Sequence, residues 1–366
     1  MSAATDHLHM AHALRLAWRG LYGTDPNPRV GCVLVQDGRV VGEGWHERAG
    51  EPHAEIHALA QAGDAARGAT VYVTLEPCCH HGRTPPCSEA LIEAGVARVV
   101  AAMQDPNPRV AGMGLTALAQ AGIEVQAGIL TAEAEQLNCG FVKRMRTGLP
   151  WVRVKLAMSL DGRTAMASGE SRWITGEGAR ADVQRLRARS SAILTGIGTV
   201  LADDPALNVR LADVQGEPRQ PLRVVLDSRL QTPPSARLLG LPGNTCVLTT
   251  ESDARRIAAL TSDTVTVAVL PMRSDKRLNL DAVMSFLGEQ DCNEVHVEAG
   301  PAVSGALLQD GLVDELVIYL APHLMGDAAR GLFTLPGLER MDQRIGLSIT
   351  DIRAVGEDWR ITATVT

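Results

Sequence analysis

Short apolar segments alternate along the first half of the chain with stretches in which apolar residues recur at helical spacing. Two apolar segments within residues 30–46 flank Asp37-Gly38, and this pattern predicts a β-hairpin. Helical spacing runs from Pro52 to Gly68, and a proline suits the first turn of a helix. We predict further strands at 69–75, 97–103 and 123–128, a helix at 113–121, and a helix capped by Thr84 with Cys87 in its first turn.

The second half of the chain contains more of these short apolar segments, many of them rich in β-branched residues. Helical stretches are predicted between some of them, at 178–189, 281–288 and 302–309. Strands that alternate with helices indicate a mostly parallel α/β sheet. The final segment, IRAVGEDWRITATVT, predicts an antiparallel pair of strands that closes one edge of this sheet.

A change of composition separates the two halves. Residues 143–150, KRMRTGLP, are a short basic run followed by glycine and proline, which is typical of a linker. A chain of 366 residues is long enough for two ordinary cores. We therefore predict two domains, at residues 1–146 and 147–366.

Composition and charge narrow the possible functions. The net charge of −7 and an aromatic content of 3% disfavour a nucleic-acid surface, which needs a basic footprint and, for single strands, stacking platforms. No apolar run is long enough to cross a membrane, and the first residues lack the order of a secretory signal, so a cytoplasmic protein is expected. Seven scattered cysteines favour free thiols and a metal site over a disulfide framework.

The segment from His53 to Cys87 carries residues suited to a catalytic zinc site. A zinc deaminase needs three protein ligands and a carboxylate that moves protons without binding the metal. We predict His53, Cys78 and Cys87 as the ligands and Glu55 as the proton carrier. The competing donors are His57, which follows His53 at helical spacing, and Cys79, which adjoins Cys78. The loop that contains His80, His81 and Arg83 could grip a substrate.

Two similar turns could line a pocket beside this site. Asp25-Pro-Asn27-Pro precedes the hairpin, and Asp105-Pro-Asn107-Pro follows the strand at 97–103. Asn27, Asp105 and Asn107 are therefore candidate substrate contacts, although such side chains also cap turns of their own backbone.

The second half offers two turns of small residues at predicted strand ends. Residues 298–306 begin a helix, so a phosphate could approach the backbone there, and residues 195–199 form a similar turn. The latter is not a dinucleotide fingerprint, because Leu201 stands where a third glycine or alanine belongs. A nucleotide cofactor across the sheet edge and ordinary tight turns are both compatible with this pattern. Arg187 and Arg210 suit a substrate phosphate, or are simply solvated.

Motifs throughout the chain resemble the bifunctional riboflavin-biosynthesis deaminase–reductases. They are PNPRVGCV, GEPHAEIHAL, TLEPCCHHGRTPPC, QDPNPRVAG, KLAMSLDGRTA, SGESRWITG, TVLADDPALNVR and VEAGPAVSGALL. The eight residues between Cys78 and Cys87 exceed the Cys-x-x-Cys spacing of base-editing deaminases, and the longer loop is a mark of this family. Cys79 departs from the family, whose members often carry serine there.

The resemblance implies a cytidine-deaminase-like α/β/α domain followed by a dihydrofolate-reductase-like α/β domain. It implies zinc at His53, Cys78 and Cys87, with Glu55 as proton donor. NADPH is expected near Ala157, Trp173, Thr199, Asp203, Ser228, Gly300, Pro301, Ala302, Val303, Ser304, Gly305 and Ala306. The substrate is expected near Ser171, Arg187, Leu207, Arg210 and Glu298. The implied reactions are hydrolytic deamination of a phosphoribosyl pyrimidine and NADPH reduction of its ribosyl group to ribityl. A homo-oligomer, with a dimer favoured, is also expected.

Two other functions compete with this hypothesis. A nucleic-acid editing deaminase would share the His-x-Glu pair, but the acidic charge and scarce aromatics oppose it. The other is a non-enzymatic binding module stabilised by zinc. Three predicted protein ligands rather than four, together with the neighbouring Glu55, argue against such a closed structural site.

Overall fold

The computed structural model describes residues 3–79, 85–211 and 219–366. The chain divides into two compact units, residues 1–148 and 149–366. Within the described residues no helix combines the length and the apolar character that a membrane span requires.

The first unit is built on a five-stranded sheet in the order β2-β1-β3-β4-β5. The β1–β2 and β1–β3 pairs are antiparallel, whereas β3, β4 and β5 run parallel. Its elements are α1 Ala3–Ala17, β1 Gly31–Gln36, β2 Arg39–Trp45, α2 Ala54–Ala62, β3 Thr70–Val73, α3 Cys87–Ala94, β4 Arg98–Ala101, α4 Met113–Gln120, β5 Glu124–Ala127, α5 Thr131–Leu137 and α6 Cys139–Thr147.

Alternating side chains of these strands face two separate cores. Val33, Val35 and Tyr72 pack against α1, α5 and α6 on one side of the sheet. Cys32, Leu34 and other residues pack against α2, α3 and α4 on the opposite side. This α/β/α arrangement confirms the expected fold class. Cys32 lies in the second core and is completely buried.

Backbone conformation explains the predicted hairpin and a close helix contact beside it. Asp37 and Gly38 both have positive φ, at 50° and 75°, as a tight two-residue hairpin turn requires. Gly42 and Gly44 face α2: a Cβ atom at Gly42 would lie 2.2 Å from the carbonyl oxygen of Ala58, and one at Gly44 would lie 2.6 Å from that of Ala54. The absence of side chains lets α2 lie directly on the backbone of β2.

Two predictions for this unit are corrected. The helix that begins after His53 ends at Ala62 and not at Gly68, because Gly63 leaves helical geometry with φ of 53°. Residues 143–147, predicted as part of a linker, are the end of α6. Phe141 and Val142 are buried on this helix, and its basic residues suit the negative end of the helix dipole.

The second unit is built on a nine-stranded sheet in the order β11-β10-β9-β8-β12-β6-β13-β16-β15. All neighbours from β11 to β13 are parallel, and the last two pairs are antiparallel. The elements are β6 Trp151–Ser159, β7 Arg163–Ala165, α7 Glu177–Arg189, β8 Ala192–Gly196, α8 Ile197–Asp203, β9 Leu222–Leu226, β10 Thr245–Thr249, α9 Ala254–Leu260, β11 Val265–Val269, α10 Leu280–Glu289, β12 Glu294–Val297, α11 Pro301–Gln309, β13 Glu315–Ala321, β14 Arg330–Gly331, β15 Leu347–Val355 and β16 Asp358–Val365.

This sheet confirms the mostly parallel α/β architecture and the antiparallel pair at the end of the chain. One face of β6, β8 and β12 packs on α10 and α11 in the largest core of the unit. The opposite face of β13 packs on α7. The edge strand β15 is exposed along nearly its whole length, and Ile349 and Ile352 are 58% and 55% exposed.

Candidate active sites

Three elements of the first unit bring His53, Cys78 and Cys87 together. His53 is the N-cap residue of α2, Cys87 is the first residue of α3, and Cys78 follows the end of β3. The Nδ1 atom of His53 lies 3.3 Å from Sγ of Cys87 and 3.6 Å from Sγ of Cys78. One potential ligand atom from each of the three residues lies within 4.8 Å of the other two.

This donor set fits zinc. Tetrahedral zinc with ordinary Zn–N and Zn–S bond lengths places an imidazole nitrogen about 3.5 Å from each thiolate sulfur. The observed separations of 3.3 and 3.6 Å agree with that requirement. Three protein donors leave the fourth position open for water or substrate, as in catalytic zinc sites. No other group of three His, Cys, Asp or Glu side chains in the described ranges could hold a metal.

The two thiols have opposite pKa shifts because they interact directly. The Cys87 thiol donates to Cys78, and this hydrogen bond lowers the pKa of Cys78 to about 4. The same interaction, together with burial, raises the pKa of Cys87. The backbone N–H of Cys87 also donates to Sγ of Cys78, at 3.3 Å. The hydrogen bond to Cys78 raises the pKa of the His53 imidazole.

Glu55 lies in the first turn of α2, beside this donor set but outside it. Its side chain is only 3% exposed, and burial raises the pKa of its carboxyl to about 7. It interacts with the Cys87 thiol. A buried carboxyl with a pKa near neutrality can both accept and donate a proton at physiological pH.

The competing donors lie elsewhere. His57 packs against β2, where a Cβ atom at Gly44 would meet its Cβ at 2.5 Å, and it is not part of the donor set. Cys79 is also outside the set, although it adjoins Cys78. Burial raises the pKa of the Cys79 thiol, which keeps it protonated. The loop residues His80, His81 and Arg83 and the expected cap Thr84 lie outside the described residues; the residue at the N-cap of α3 is Pro86.

A histidine that the sequence did not single out connects Asn27 to the site. Nδ2 of Asn27 lies 3.1 Å from Nε2 of His46, and Nδ1 of His46 lies 3.1 Å from the carbonyl oxygen of Pro52. The carbonyl can only accept, so Nδ1 carries the proton and Nε2 accepts from Asn27. The His46 ring stands edge-on to His53, with centroids 5.3 Å apart. Asn27 therefore contacts a residue that packs on His53, whereas its motif alone also allowed a turn cap.

The second turn, at residues 105–109, is held by its own side chains. Oδ1 of Asp105 accepts from the backbone N–H of Asn107 at 2.8 Å, and Oδ1 of Asn107 accepts from that of Arg109 at 3.0 Å. These bonds cap the turn, which is the second role that the sequence allowed. Asp105 is 9% exposed. Its charge contributes to the raised pKa of Cys79, which places the turn close to the end of β3.

In the second unit, most of the predicted ligand contacts gather at one edge of the parallel sheet. β9, β8, β12 and β6 are consecutive neighbours, and their carboxyl ends lead to Ser228, the turn at 196–199, Glu298 and the end of β6 with Ala157. The two small-residue turns meet directly, since a Cβ atom at Gly196 would lie 2.8 Å from Cγ2 of Val303. Open α/β sheets bind ligands at this edge.

Three charged predicted contacts, Arg187, Arg210 and Glu298, form one group at this edge. Nε and Nη2 of Arg187 donate to the two carboxylate oxygens of Glu298, at 2.6 and 2.9 Å. Burial by itself would raise the pKa of Glu298, but the Arg187 guanidinium and His296 hold it well below its usual range. Burial also lowers the pKa of Lys155, which interacts with both partners. Arg210 donates to Oδ1 of Asn208 at 2.6 Å, and Arg187 donates to the carbonyl oxygen of that residue.

Four further predicted contacts lie in α8 or in the segment before α7: Ser171, Trp173, Thr199 and Asp203. Arg172 donates to the carbonyl oxygen of Asp203 at 2.6 Å, which ties the segment of Ser171 and Trp173 to α8. Trp173 is 71% exposed, and the Arg180 guanidinium lies 4.8 Å from the centre of its ring. Thr199 lies within α8.

The side chains of other predicted contacts are less exposed to a ligand than expected. Ser304 is completely buried, and a Cβ atom at Gly305 would lie 2.1 Å from the carbonyl oxygen of Thr334. The small residues at 304 and 305 thus allow α11 to pack inward, and the expectation that they lie near a cofactor stays a prediction. Residues 300–303 and Ala306 are at least partly exposed. Leu207 is 3% exposed, and the Ser228 hydroxyl accepts from the N–H of Leu278 at 3.1 Å.

Comparison with known proteins assigns both units. A family model described as the RibD C-terminal domain matches residues 150–361. A model of the cytidine and deoxycytidylate deaminase zinc-binding region matches residues 3–103. The riboflavin biosynthesis protein RibD of Escherichia coli is 57% identical over 362 residues, which cover 96% of this chain and 97% of that protein.

Solved structures show the same similarity. The Acinetobacter baumannii RibD structure covers 100% of both chains with a TM-score of 0.93 and 47% identity. A Thermotoga maritima diaminohydroxyphosphoribosylaminopyrimidine deaminase/5-amino-6-(5-phosphoribosylamino)uracil reductase covers 99% of both chains with a TM-score of 0.88 and 32% identity. The chain belongs to the RibD family of bifunctional deaminase–reductases of riboflavin biosynthesis.

Proposed function

We propose that the first unit, residues 1–148, removes ammonia from the pyrimidine ring of 2,5-diamino-6-(5-phosphoribosylamino)pyrimidin-4-one, with His53, Cys78 and Cys87 as zinc ligands. The observation that carries this proposal is the convergence of one imidazole nitrogen and two sulfurs beside the buried carboxyl of Glu55. Zinc, when bound, activates water for attack near neutral pH.

Glu55 is the proton carrier of this reaction. Its pKa of about 7 allows it to take a proton from the attacking water and return it to the departing ammonia. Water and the ring amine are consumed, and a ring carbonyl and ammonia are formed. Asn27, held by His46, and Asp105 and Asn107, on their capped turn, are the proposed contacts to the pyrimidine.

The second unit, residues 149–366, is proposed to reduce the ribosyl group of the deaminated product to ribityl with NADPH. The cofactor supplies a hydride for the sugar C1′, and the protein supplies position and charge. Arg187 and Arg210 provide guanidinium groups for the substrate phosphate, and Glu298 and Lys155 lie beside them. The proposed cofactor contacts are Ala157, Trp173, Thr199, Asp203, Ser228 and residues 300–306.

Glu55→Gln tests the deaminase assignment. We expect zinc content to be unchanged and ammonia release to fall by a factor of at least about 100, since general acid–base catalysis contributes about that much or more. NADPH oxidation with already deaminated substrate should be unaffected, and this is the internal control. Ammonia release at the wild-type rate would show that the deaminase site lies elsewhere.

A cytoplasmic homo-oligomer, most simply a dimer, completes the proposal. The exposed apolar side chains of the edge strand β15 support an association surface. Sedimentation of the full chain should give twice the monomer mass, and a monomer at all concentrations would contradict this.

A further inference from the structure

A buried carboxylate next to the proposed zinc site takes no part in the roles assigned above. Glu76 lies two residues before Cys78 and is 3% exposed. Its Oε2 accepts from the backbone N–H groups of Asp105 and Gly112, at 3.0 and 2.9 Å. Its Oε1 accepts from those of Gly114 and Leu115, at 2.9 and 3.2 Å. Backbone donors therefore occupy both oxygens.

These four bonds fasten the segment 105–115 to the end of β3. No side chain caps α4 at its own N-cap, Gly112, so Glu76 satisfies N–H groups that would otherwise lack an acceptor. The contact is close, since a Cβ atom at Gly114 would lie 2.0 Å from the carbonyl oxygen of Pro77. Glycine at this position allows the two backbones to touch.

The fastened segment contains the turn with Asp105 and Asn107. Asp105 donates its own N–H to Glu76, and its side chain in turn holds Asn107. A single carboxylate thus sets the distance between the strand end that carries Cys78 and the turn that we propose to contact the pyrimidine.

We propose that Glu76 is a positioning residue for substrate recognition in the deaminase reaction. It neither touches the reacting atoms nor binds the metal; it fixes the turn at 105–107 relative to Cys78. This inference rests on the proposed function of that turn. Its consequence is that loss of the carboxylate affects substrate affinity more than the chemical step.

The variant Glu76→Gln isolates this role because glutamine has nearly the same shape. An amide has only one acceptor oxygen, and its NH₂ group would face two backbone donors. One or two such hydrogen bonds contribute about 1.4 kcal/mol or more to holding the turn in place. Substrate binding must then supply this free energy to order the turn, and about 1.4 kcal/mol corresponds to a tenfold loss of affinity.

The test measures ammonia release by the full chain in the absence of NADPH. For Glu76→Gln we expect KM to rise about tenfold or more, with kcat changed less than about threefold and zinc content unchanged. Hydrogen exchange of the amides in 105–115 should accelerate. Glu93→Gln, at an exposed position on α3 in the same unit, is the matched control and should leave every measurement unchanged.

An unchanged KM with a reduced kcat, or a loss of zinc, would overturn the positioning role. Glu76→Asp, which keeps both oxygens on a shorter side chain, should give an intermediate KM. If neither variant folds, Glu76 is a folding determinant and the inference fails. The Glu55→Gln variant distinguishes failure of this inference from failure of the proposed function. If Glu55→Gln abolishes ammonia release while Glu76→Gln keeps the wild-type KM, only the positioning role is wrong.

Discussion

At the scale of single residues, Cys78 and Cys79 are neighbours with different surroundings. Cys78 accepts from the backbone of Cys87 and lies within reach of His53, so its thiolate is stabilised. Burial and the nearby carboxylates Glu76 and Asp105 keep Cys79 protonated. The two thiols differ in protonation because only Cys78 lies beside a helix start and an imidazole, although the residues are adjacent in the sequence.

The difference between thiols inside the donor set, such as Cys87, and Cys79 outside it predicts different effects of two serine substitutions. Cys87→Ser should lose zinc and all ammonia release, because hydroxyl oxygen is a much poorer zinc ligand than thiolate. Cys79→Ser should retain one zinc per chain and the wild-type rate. Metal analysis of the purified proteins checks both. Full zinc occupancy in Cys87→Ser would move the ligand to another residue.

At the scale of elements, a charged group joins α1 to the sheet of the first unit. Asp6 on α1 accepts from Arg98 on β4, at 2.9 and 3.0 Å, and from the Tyr72 hydroxyl on β3, at 2.7 Å. The hydrogen bonds from Arg98 outweigh burial and lower the pKa of the Asp6 carboxyl. Arg98 also pairs with Glu124, which is largely exposed.

The lowered pKa gives this contact a definite pH dependence. A carboxyl with a lower pKa in the folded state stabilises the fold above its unfolded pKa of about 3.9, and this contribution is lost as pH falls through the folded value. Asp6→Asn should therefore reduce the free energy of unfolding at pH 7 by about 1.5–3 kcal/mol. It should also make this free energy depend less on pH in the acid range.

Urea denaturation between pH 7 and pH 3 measures this effect. Glu124→Gln is the matched control, because it removes the exposed partner of the same arginine. It should change stability by less than about 1 kcal/mol. If both variants lost the same free energy of unfolding, the buried Asp6–Arg98 pair would stabilise the fold no more than the exposed Arg98–Glu124 pair does.

Element order, the two antiparallel strand pairs and the candidate zinc donors could be predicted because they depend on local patterns. Alternation of apolar residues and the Asp37-Gly38 turn determine the hairpin, and the His-x-Glu and Pro-Cys signals indicate the metal site. The contacts of Glu76, His46 and His296 could not be predicted, since each depends on segments far apart in the sequence. The linker prediction was wrong because burial of Phe141 and Val142 keeps the basic run helical.

At the scale of the whole molecule, the residues proposed for each reaction lie within a single unit. The first unit has its own two cores, and the second has three cores of its own among the described residues. Glu55 and Glu298 belong to different units. The two reactions are therefore separable by substitution.

A mixing experiment tests this separation. Glu55→Gln and Glu298→Gln proteins should each fail to convert the diamino substrate into ribityl product when assayed alone. An equimolar mixture should restore ribityl formation, because the intermediate made by one protein can be reduced by the other. Product chromatography measures the outcome. A mixture as inactive as its components would mean that the two reactions depend on each other within one chain.

The close approach of α2 to β2 affects how this protein tolerates sequence change. Gly42 and Gly44 contact no proposed ligand, yet any side chain at either position would push the helix that starts at His53. In a library of random variants, inactivating substitutions should thus accumulate on a strand that carries none of the proposed catalytic or binding residues. Selection for deaminase activity would preserve these two positions as strictly as the metal ligands, although they have no chemical function.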